Sequence, residues 1–320
     1  MKKPVLFLTR RLPEHVEARA AAEFDVRLNH TGTPPAGTDI VCQAAEAVAI
    51  LCCSTDRMDA AVIDALPIGV KMIATFSAGT DHIDLPAAAA RGIAVLNTPD
   101  VLSVATAETA MLLILMAARR AGEGERLMRS GNWKGWEPLQ LIGTQISGRR
   151  LGIFGMGRIG RELARMARGF QMQVHYRNRS RLPAAQEEGA IFHASDDDFL
   201  PVCDVLSLHA PGGAATRHWL NADRIARLPK GAIVVNTARG SIIDDTAFIA
   251  ALRSGHLAQA GLDVYDGEPN LHPDYLRLDN VALLPHLGSA TRETRDAMGD
   301  IALDGIHAVL RGERPRNRVV

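Results

Sequence analysis

Aromatic residues make up only 4% of the 320-residue chain, and its 36 basic and 36 acidic side chains cancel to a formal net charge of zero. Without an excess of one sign there is no global field to hold a nucleic-acid backbone or an anionic membrane, so neither is expected as a partner. Long hydrophobic runs are missing as well. The longest, about 110–118, is bracketed by Glu108 and Arg119, far short of the roughly 20 residues that a bilayer requires. The start, Met1-Lys2-Lys3-Pro4, leads into a short apolar segment that stops at Arg10 and Arg11, and no signal peptide is expected. Cysteine is scarce: Cys42, Cys52, Cys53 and Cys203 show no CxxC spacing and read as reduced thiols. No His, Cys and Asp cluster has metal-ligand spacing, so no metal is expected. Repeats and low-complexity segments are also lacking. A soluble, cytoplasmic protein is the expectation.

What the chain has is length and apolar content. At 47% apolar and 22% charged residues it has the composition of an ordered protein, and its length suits two domains at roughly 150 residues each. Short β-branched runs alternate with Ala-rich stretches, the pattern of a parallel sheet covered on both faces. Strands are predicted at 5–9, 24–28, 47–52, 72–76 and 93–97, with helices at 59–66 and 85–91. A second series follows at 151–154, 173–176, 205–208, 233–236, 260–264 and 281–284. Between the series, 105–130 reads as one long Ala/Leu/Met helix, either a core element or an oligomer interface. The last helical pattern, 291–311, has no strand after it and is able to pack back on the first series.

Gly155-Met156-Gly157-Arg158-Ile159-Gly160 follows a predicted strand and opens a predicted helix, 161–168. In that setting the glycines permit a tight turn, and the helix N-terminus holds a pyrophosphate. An NAD site usually places Asp or Glu about 20 residues further on, against the ribose hydroxyls. Here the next strand ends in Arg177-Asn178-Arg179-Ser180-Arg181, with no carboxylate. Guanidinium groups suit a 2′-phosphate. NADP(H) is therefore the expected cofactor, with NAD(H) as a weaker one, and Asn178, Arg179 and Ser180 as the contacts.

Three later segments carry charged residues at strand ends: Asn236-Thr237-Ala238-Arg239-Gly240, Leu262-Asp263-Val264-Tyr265-Asp266-Gly267-Glu268-Pro269, and Leu284-Pro285-His286-Leu287-Gly288. Arg239, Glu268 and His286 make a sensible catalytic set. A cation holds a carboxylated hydride acceptor, an acid protonates the nascent alkoxide, and a carboxylate beside the histidine favours its imidazolium.

With Ser77-Ala78-Gly79-Thr80-Asp81-His82-Ile83-Asp84 and Asn97-Thr98-Pro99-Asp100-Val101-Leu102, these six ordered motifs run nearly end to end. Together they resemble the D-isomer-specific 2-hydroxyacid dehydrogenases, most closely their glyoxylate/hydroxypyruvate reductases. The resemblance implies two doubly wound α/β domains. A flavodoxin-like substrate domain would span 1–100 plus 289–320, and a Rossmann NADP-binding domain 101–288. It implies that Arg239 binds and polarises the 2-oxo acid, that His286 is the general acid and that Glu268 tunes it. The substrate carboxylate would lie on the backbone of Ala78 and Gly79, near Cys53 or Ser54. Thr106, His209, Ala210, Pro211, Thr237, Ala238, Asp263 and Gly288 would contact the cofactor, Asp263 near the nicotinamide amide. Trp136 would reach a neighbouring subunit's substrate pocket, in a homodimer formed through the 105–136 helix and loop. His82 reads as structural.

The implied reaction is NADPH-dependent reduction of glyoxylate and hydroxypyruvate to glycolate and D-glycerate. Two alternatives stay open: a reductase of larger or aromatic 2-oxo acids such as hydroxyphenylpyruvate, and a non-catalytic dinucleotide-binding sensor or corepressor. A formate-oxidising relative would carry a Gln-His pair, which Pro285-His286 does not match.

Overall fold

The computed structural model describes residues 2–320, which fall into two compact units. One runs to Leu102 and resumes at Ala290–Val320; the other is Ser103–Ser289.

The first unit is built on a five-stranded parallel sheet, with β1 at Val5–Leu8, β2 at Asp25–Leu28, β3 at Ala49–Cys52, β4 at Met72–Thr75 and β5 at Ala94–Leu96. Strands β1, β3 and β4 are buried along their whole length, as expected where helices cover both faces and no polar alternation is needed. The order β2-β1-β3-β4-β5 is the flavodoxin-like winding, whose switch point falls between β1 and β3. The carboxyl ends of those two strands lead into Arg10 and Cys53. Local signals fix the helices: Asp59 accepts from Val62 N–H and Asp84 from Ala87 N–H, each capping a first turn. The C-terminal helix Arg292–Leu310, capped by Thr291, buries Ala302, Leu303 and Ile306 against Leu6, Leu51, Ala74 and Leu96. It thus closes one face of the first sheet.

The second unit holds a seven-stranded parallel sheet: β6 Arg150–Phe154, β7 Gln173–Arg177, β8 Ile191–Phe192, β9 Val205–Leu208, β10 Ala232–Asn236, β11 Leu257–Leu262 and β12 Val281–Leu283. Its order, β12-β11-β10-β9-β6-β7-β8, is the Rossmann winding with one added strand, and it reverses between β6 and β9. The glycine-rich turn leaves β6 and the segment His209–Pro211 leaves β9, one on each side of that point.

The long helix expected over 105–130 is in fact two, Ser103–Ala118 and Ala121–Arg129. The first buries Ala110, Leu113, Ile114 and Ala117 on the sheet. It stops because a returning loop takes its last carbonyl: Thr144 N–H donates to Ala118 O at 2.7 Å. A Cβ on the neighbouring Gly143 would lie 2.2 Å from the same oxygen. Arg120 then turns left-handed (φ 52°), and a short exposed helix follows.

Candidate active site

In the second unit, β6 feeds the helix Arg158–Gly169, which starts three residues earlier than its apolar pattern suggested. Each glycine of the turn has its own reason. Gly155 sits at φ +90°, and a Cβ there would lie 2.5 Å from Ala210 N. Gly160 lies under Ile153, where a Cβ would be 3.0 Å from its Cγ2. Gly157 instead faces open space, and it occupies the helix cap without any side-chain hydrogen bond. An uncapped first turn beside an open glycine offers backbone N–H groups and the positive end of the helix dipole to an anion. Met156 lies buried below the turn. Asn178 braces it, accepting from Met156 N–H at 2.7 Å and donating to Met156 O at 3.3 Å. These residues fit a dinucleotide pyrophosphate.

The arginines after β7 do not act alike. Arg177 pairs with Asp196 at 3.3 Å. Arg181 forms a two-pronged pair with Glu187 at 2.8 and 3.0 Å, and Tyr176 also donates to that carboxylate at 2.6 Å. Arg179 and Ser180 are exposed, and Arg179 has no hydrogen-bond or ion-pair partner among the described residues.

Past β9, His209 is half-buried, with its Nδ1 shielded from solvent. Its Nε2 lies 2.8 Å from Ser207 Oγ, while Nδ1 has no partner among the described residues. Desolvation pushes its pKa down to about 4, so the ring is neutral at physiological pH. Thr237 Oγ1, after β10, is likewise buried and unpaired. Buried polar atoms without partners are costly, and both fit a polar ligand. Ala210 is buried beside Gly155, Pro211 is exposed, and Ala238 is half-buried. Thr106 is used internally, donating to Gly288 O at 3.0 Å.

Asp263 is fully buried. Its Oδ1 accepts from Leu287 N–H at 2.6 Å and its Oδ2 from Gly288 N–H at 2.8 Å. Its carboxylate thus clamps the turn that presents His286, which itself adopts φ +56°. Burial raises its pKa, against the two N–H bonds.

Glu268 Oε2 lies 2.8 Å from His286 Nδ1, and its Oε1 accepts from Tyr265 N–H at 2.8 Å. For the histidine, the hydrogen bond to Glu268 outweighs desolvation and raises the pKa. For Glu268, desolvation is the largest single influence and acts upward, yet the histidine and neighbouring donors together bring the pKa below its ordinary value. Arg239 is close enough for its charge to act on both groups.

Two residues that sequence reasoning left without a role build this arrangement. Asn236 accepts from Ala238 N–H and donates to Arg239 O, both at 2.9 Å, shaping the turn under Arg239. Gly240 lets that turn meet the Glu268 loop, since a Cβ would lie 1.8 Å from Tyr265 C and 2.1 Å from Asp266 N.

In the first unit, the loop after β4 has its carbonyls occupied. Ser77 O accepts from Thr98 N–H at 2.9 Å, Ala78 O from Asn97 Nδ2 at 2.8 Å and Gly79 O from Ser77 Oγ at 2.6 Å. The N–H groups of Ala78, Gly79 and Thr80 find no acceptor among the described residues, an arrangement that suits an anion. In the adjacent loop, Cys53 N–H donates to buried Asp56 at 2.7 Å. Burial pushes the Cys53 thiol up to about 12, so it is no thiolate nucleophile. Ser54 is exposed.

Trp136 is 80% exposed, in a loop with Leu139 at 80% and Ile142 at 61%. No helix among the described residues is long and apolar enough to cross a membrane.

The comparisons with known proteins bear on the family and the fold. Residues 111–288 match the model of the D-isomer specific 2-hydroxyacid dehydrogenase NAD-binding domain. A glycerate dehydrogenase from Hyphomicrobium methylovorum is 45% identical over 315 residues, 98% of each chain. A solved chain from Polaromonas sp. JS6 66, described by family, is 48% identical with TM-score 0.95, both chains covered in full. The NADPH-dependent glyoxylate/hydroxypyruvate reductase of Sinorhizobium meliloti, solved with NADP and malonate, is 31% identical with TM-score 0.88, over 100% of this chain and 97% of that one. Fold, site geometry and likeness over the whole length lead to one conclusion: this chain belongs to the D-isomer-specific 2-hydroxyacid dehydrogenases.

Proposed function

We propose that the chain reduces small 2-oxo acids, glyoxylate and hydroxypyruvate foremost, to glycolate and D-glycerate, with NADPH preferred over NADH. The observation that carries the chemistry is the Glu268–His286 contact at 2.8 Å, beside the charge of Arg239. A bound nicotinamide dinucleotide would supply the hydride. Its pyrophosphate would lie on the turn Gly155–Gly160. Thr237 and His209 would offer it their unpaired polar atoms, with Thr106, Ala210, Pro211, Ala238, Asp263 and Gly288 around it.

With Nδ1 held by Glu268, His286 is left with Nε2 to hand a proton to the carbonyl oxygen as it becomes an alkoxide. Glu268 keeps the ring charged and oriented until that transfer. The Arg239 guanidinium holds the carboxylate and keto oxygens and stabilises the developing negative charge. The cradle Ala78–Thr80, with Cys53 and Ser54 in the next loop, would receive the substrate carboxylate. The relative named a glycerate dehydrogenase fits the same interconversion read in the other direction.

The NADPH preference rests on Arg179, left without a partner among the described residues where its neighbours are paired, and on the absence of a carboxylate among residues 178–181. Dimer formation is part of the same reading. Leu112, Met128, Trp133, Trp136, Leu139 and Ile142 are exposed apolar residues within one stretch, and such a concentration suits an interface with a second copy.

Initial rates with NADPH and NADH, each against glyoxylate, hydroxypyruvate, pyruvate and phenylpyruvate, test the proposal. Fast NADPH oxidation with the first two acids and little with NADH is expected. Preference for phenylpyruvate would replace the substrate and keep the mechanism. Silence across all pairs, with NADPH still bound, would leave a dinucleotide-binding sensor.

A further inference from the structure

His82 has no place in the chemistry above, yet it is joined to the anion cradle by hydrogen bonds whose direction is fixed by proton count. Ser77 Oγ lies 2.6 Å from the Gly79 carbonyl. A carbonyl only accepts, so Ser77 commits its single hydroxyl proton there. The 2.8 Å contact between Ser77 and Thr75 therefore runs from Thr75 Oγ1 to Ser77 Oγ. Thr75 then has no proton left, and its 2.9 Å contact with His82 Nε2 requires an N–H on the ring. Thr75 is fully buried, and the His82 backbone is held where its carbonyl accepts from Met58 N–H at 2.9 Å. The relay is thus anchored at its origin and dry in its middle.

Its far end acts on the cradle. The Gly79 carbonyl belongs to the same peptide as the Thr80 N–H. With Thr98 and Asn97 holding the two preceding carbonyls, three consecutive peptides each accept from a fixed donor. Donation to a carbonyl polarises its peptide and strengthens its N–H as a donor. The loop is held with its oxygens engaged and its amides without an acceptor among the described residues.

We propose that His82 is a positioning residue for substrate: through Thr75 and Ser77 it fixes the Gly79–Thr80 peptide, and so the backbone cradle that takes the carboxylate of the 2-oxo acid. This rests on the reading that the cradle binds that carboxylate. The carboxylate is unchanged by the reaction, so loss of the relay weakens ground state and transition state alike. KM rises while kcat stays.

The test uses the full chain loaded with NADPH for turnover, or with NADP for binding, and the variants His82→Ala, His82→Gln, Thr75→Val, Ser77→Ala and the double variant His82→Ala/Ser77→Ala. Three quantities are read: kcat and KM for glyoxylate, the Kd of oxalate by calorimetry, and the melting temperature. His82→Ala and Thr75→Val should each raise KM and oxalate Kd about tenfold with kcat within about twofold. His82→Gln, which restores an N–H donor, should recover most of the loss. The double variant should cost no more than its worse single change, because both act through one chain. Multiplicative losses, glutamine no better than alanine, or an unchanged oxalate Kd would overturn the relay. Should His82→Ala fail to fold, Thr75→Val, which keeps the side-chain shape, decides the matter. Oxalate keeps the two readings apart. A wild type that turns over no 2-oxo acid, but binds oxalate through the relay, fails as a reductase and keeps the relay. A wild type that turns over glyoxylate, with variants of unaltered KM, does the reverse.

Discussion

Asp263 spans the turn after β12 by accepting the N–H groups of both Leu287 and Gly288, so the residue next to His286 is fixed by a buried carboxylate on the neighbouring strand end. The His286 ring is set by Glu268, but its backbone is set by Asp263. Removing that carboxylate leaves the buried Gly288 N–H without an acceptor, at a cost of about 1–3 kcal/mol. Asp263→Ala is expected to lower the denaturant midpoint accordingly and to reduce kcat at least tenfold. Activity and stability unchanged together would show that the turn holds itself.

The His286–Glu268 pair sets the pH dependence. The histidine pKa is raised, chiefly by its hydrogen bond to Glu268, and the proposed reduction uses the charged ring. The rate of glyoxylate reduction should therefore be full at low and neutral pH and fall as pH rises through the elevated histidine pKa. Glu268→Gln removes the countercharge, so the falling limb should move to lower pH, with a reduced plateau. A limb that stays in place in Glu268→Gln would remove Glu268 from the role of tuning the acid. The His286 side chain is 45% exposed and that of Glu268 28%, so solvent partly screens the pair and it is expected to matter for the rate more than for folding.

The cofactor argument separates three arginines that look equivalent in the sequence. Arg177 and Arg181 have carboxylate partners; Arg179 has none among the described residues. Arg179→Ala should lower kcat/KM for NADPH relative to NADH at least tenfold, and adding Asn178→Asp should lower it further. Arg181→Ala should leave that ratio within about threefold. If Arg181→Ala carries the larger effect, the ion pair with Glu187 must open to meet the 2′-phosphate.

Gly240 makes a prediction that involves no charge. A methyl group there would lie within 2.1 Å of the Tyr265–Asp266 backbone, which is too close for any side-chain adjustment to relieve. Gly240→Ala should therefore separate the Arg239 turn from the Glu268 loop. Overpacking of this kind costs about 1–3 kcal/mol, and kcat/KM for glyoxylate should fall at least a hundredfold. Wild-type kinetics in this variant would mean that the two loops tolerate displacement.

The strands and the glycine turn were legible in the sequence because their signals are local. A doubly covered strand is a run of apolar residues, and a phosphate turn is a run of glycines ahead of a helix. What escaped depends on partners far along the chain. The break at Arg120 is set by Thr144, which takes the Ala118 carbonyl, and no pattern within 105–130 announces it. The helix Glu14–Glu23 buries only Val16 and Ala20, too few positions to make a visible stripe. Strand β8 is two residues long. At the site, Arg239, Glu268 and His286 stood out by chemical type. Asn236, Gly240 and the Thr75–Ser77–His82 chain act through geometry, which composition does not encode. The ion pairs of Arg177 and Arg181 were equally hidden, since Asp196 and Glu187 come from other elements.

The exposed apolar stretch yields the last expectation. Trp136 and Leu139 are each 80% exposed, beside Ile142 at 61%. At roughly 25 cal/mol per Å2 of apolar surface, leaving several such side chains in water forgoes a few kcal/mol per chain, which a symmetric contact recovers twice. Sedimentation velocity at micromolar concentration should show a dimer. The double change Leu139→Asp/Ile142→Asp, on an exposed loop away from the buried clusters, should shift it to monomer with little loss of monomer stability. Trp136→Ala then separates two roles. If this tryptophan only caps its own loop, the variant stays dimeric with normal KM. If it reaches a neighbouring copy's substrate, KM for glyoxylate rises while the dimer persists. A monomeric wild type would refute the pairing, and Trp136 would have to act within its own chain or not at all.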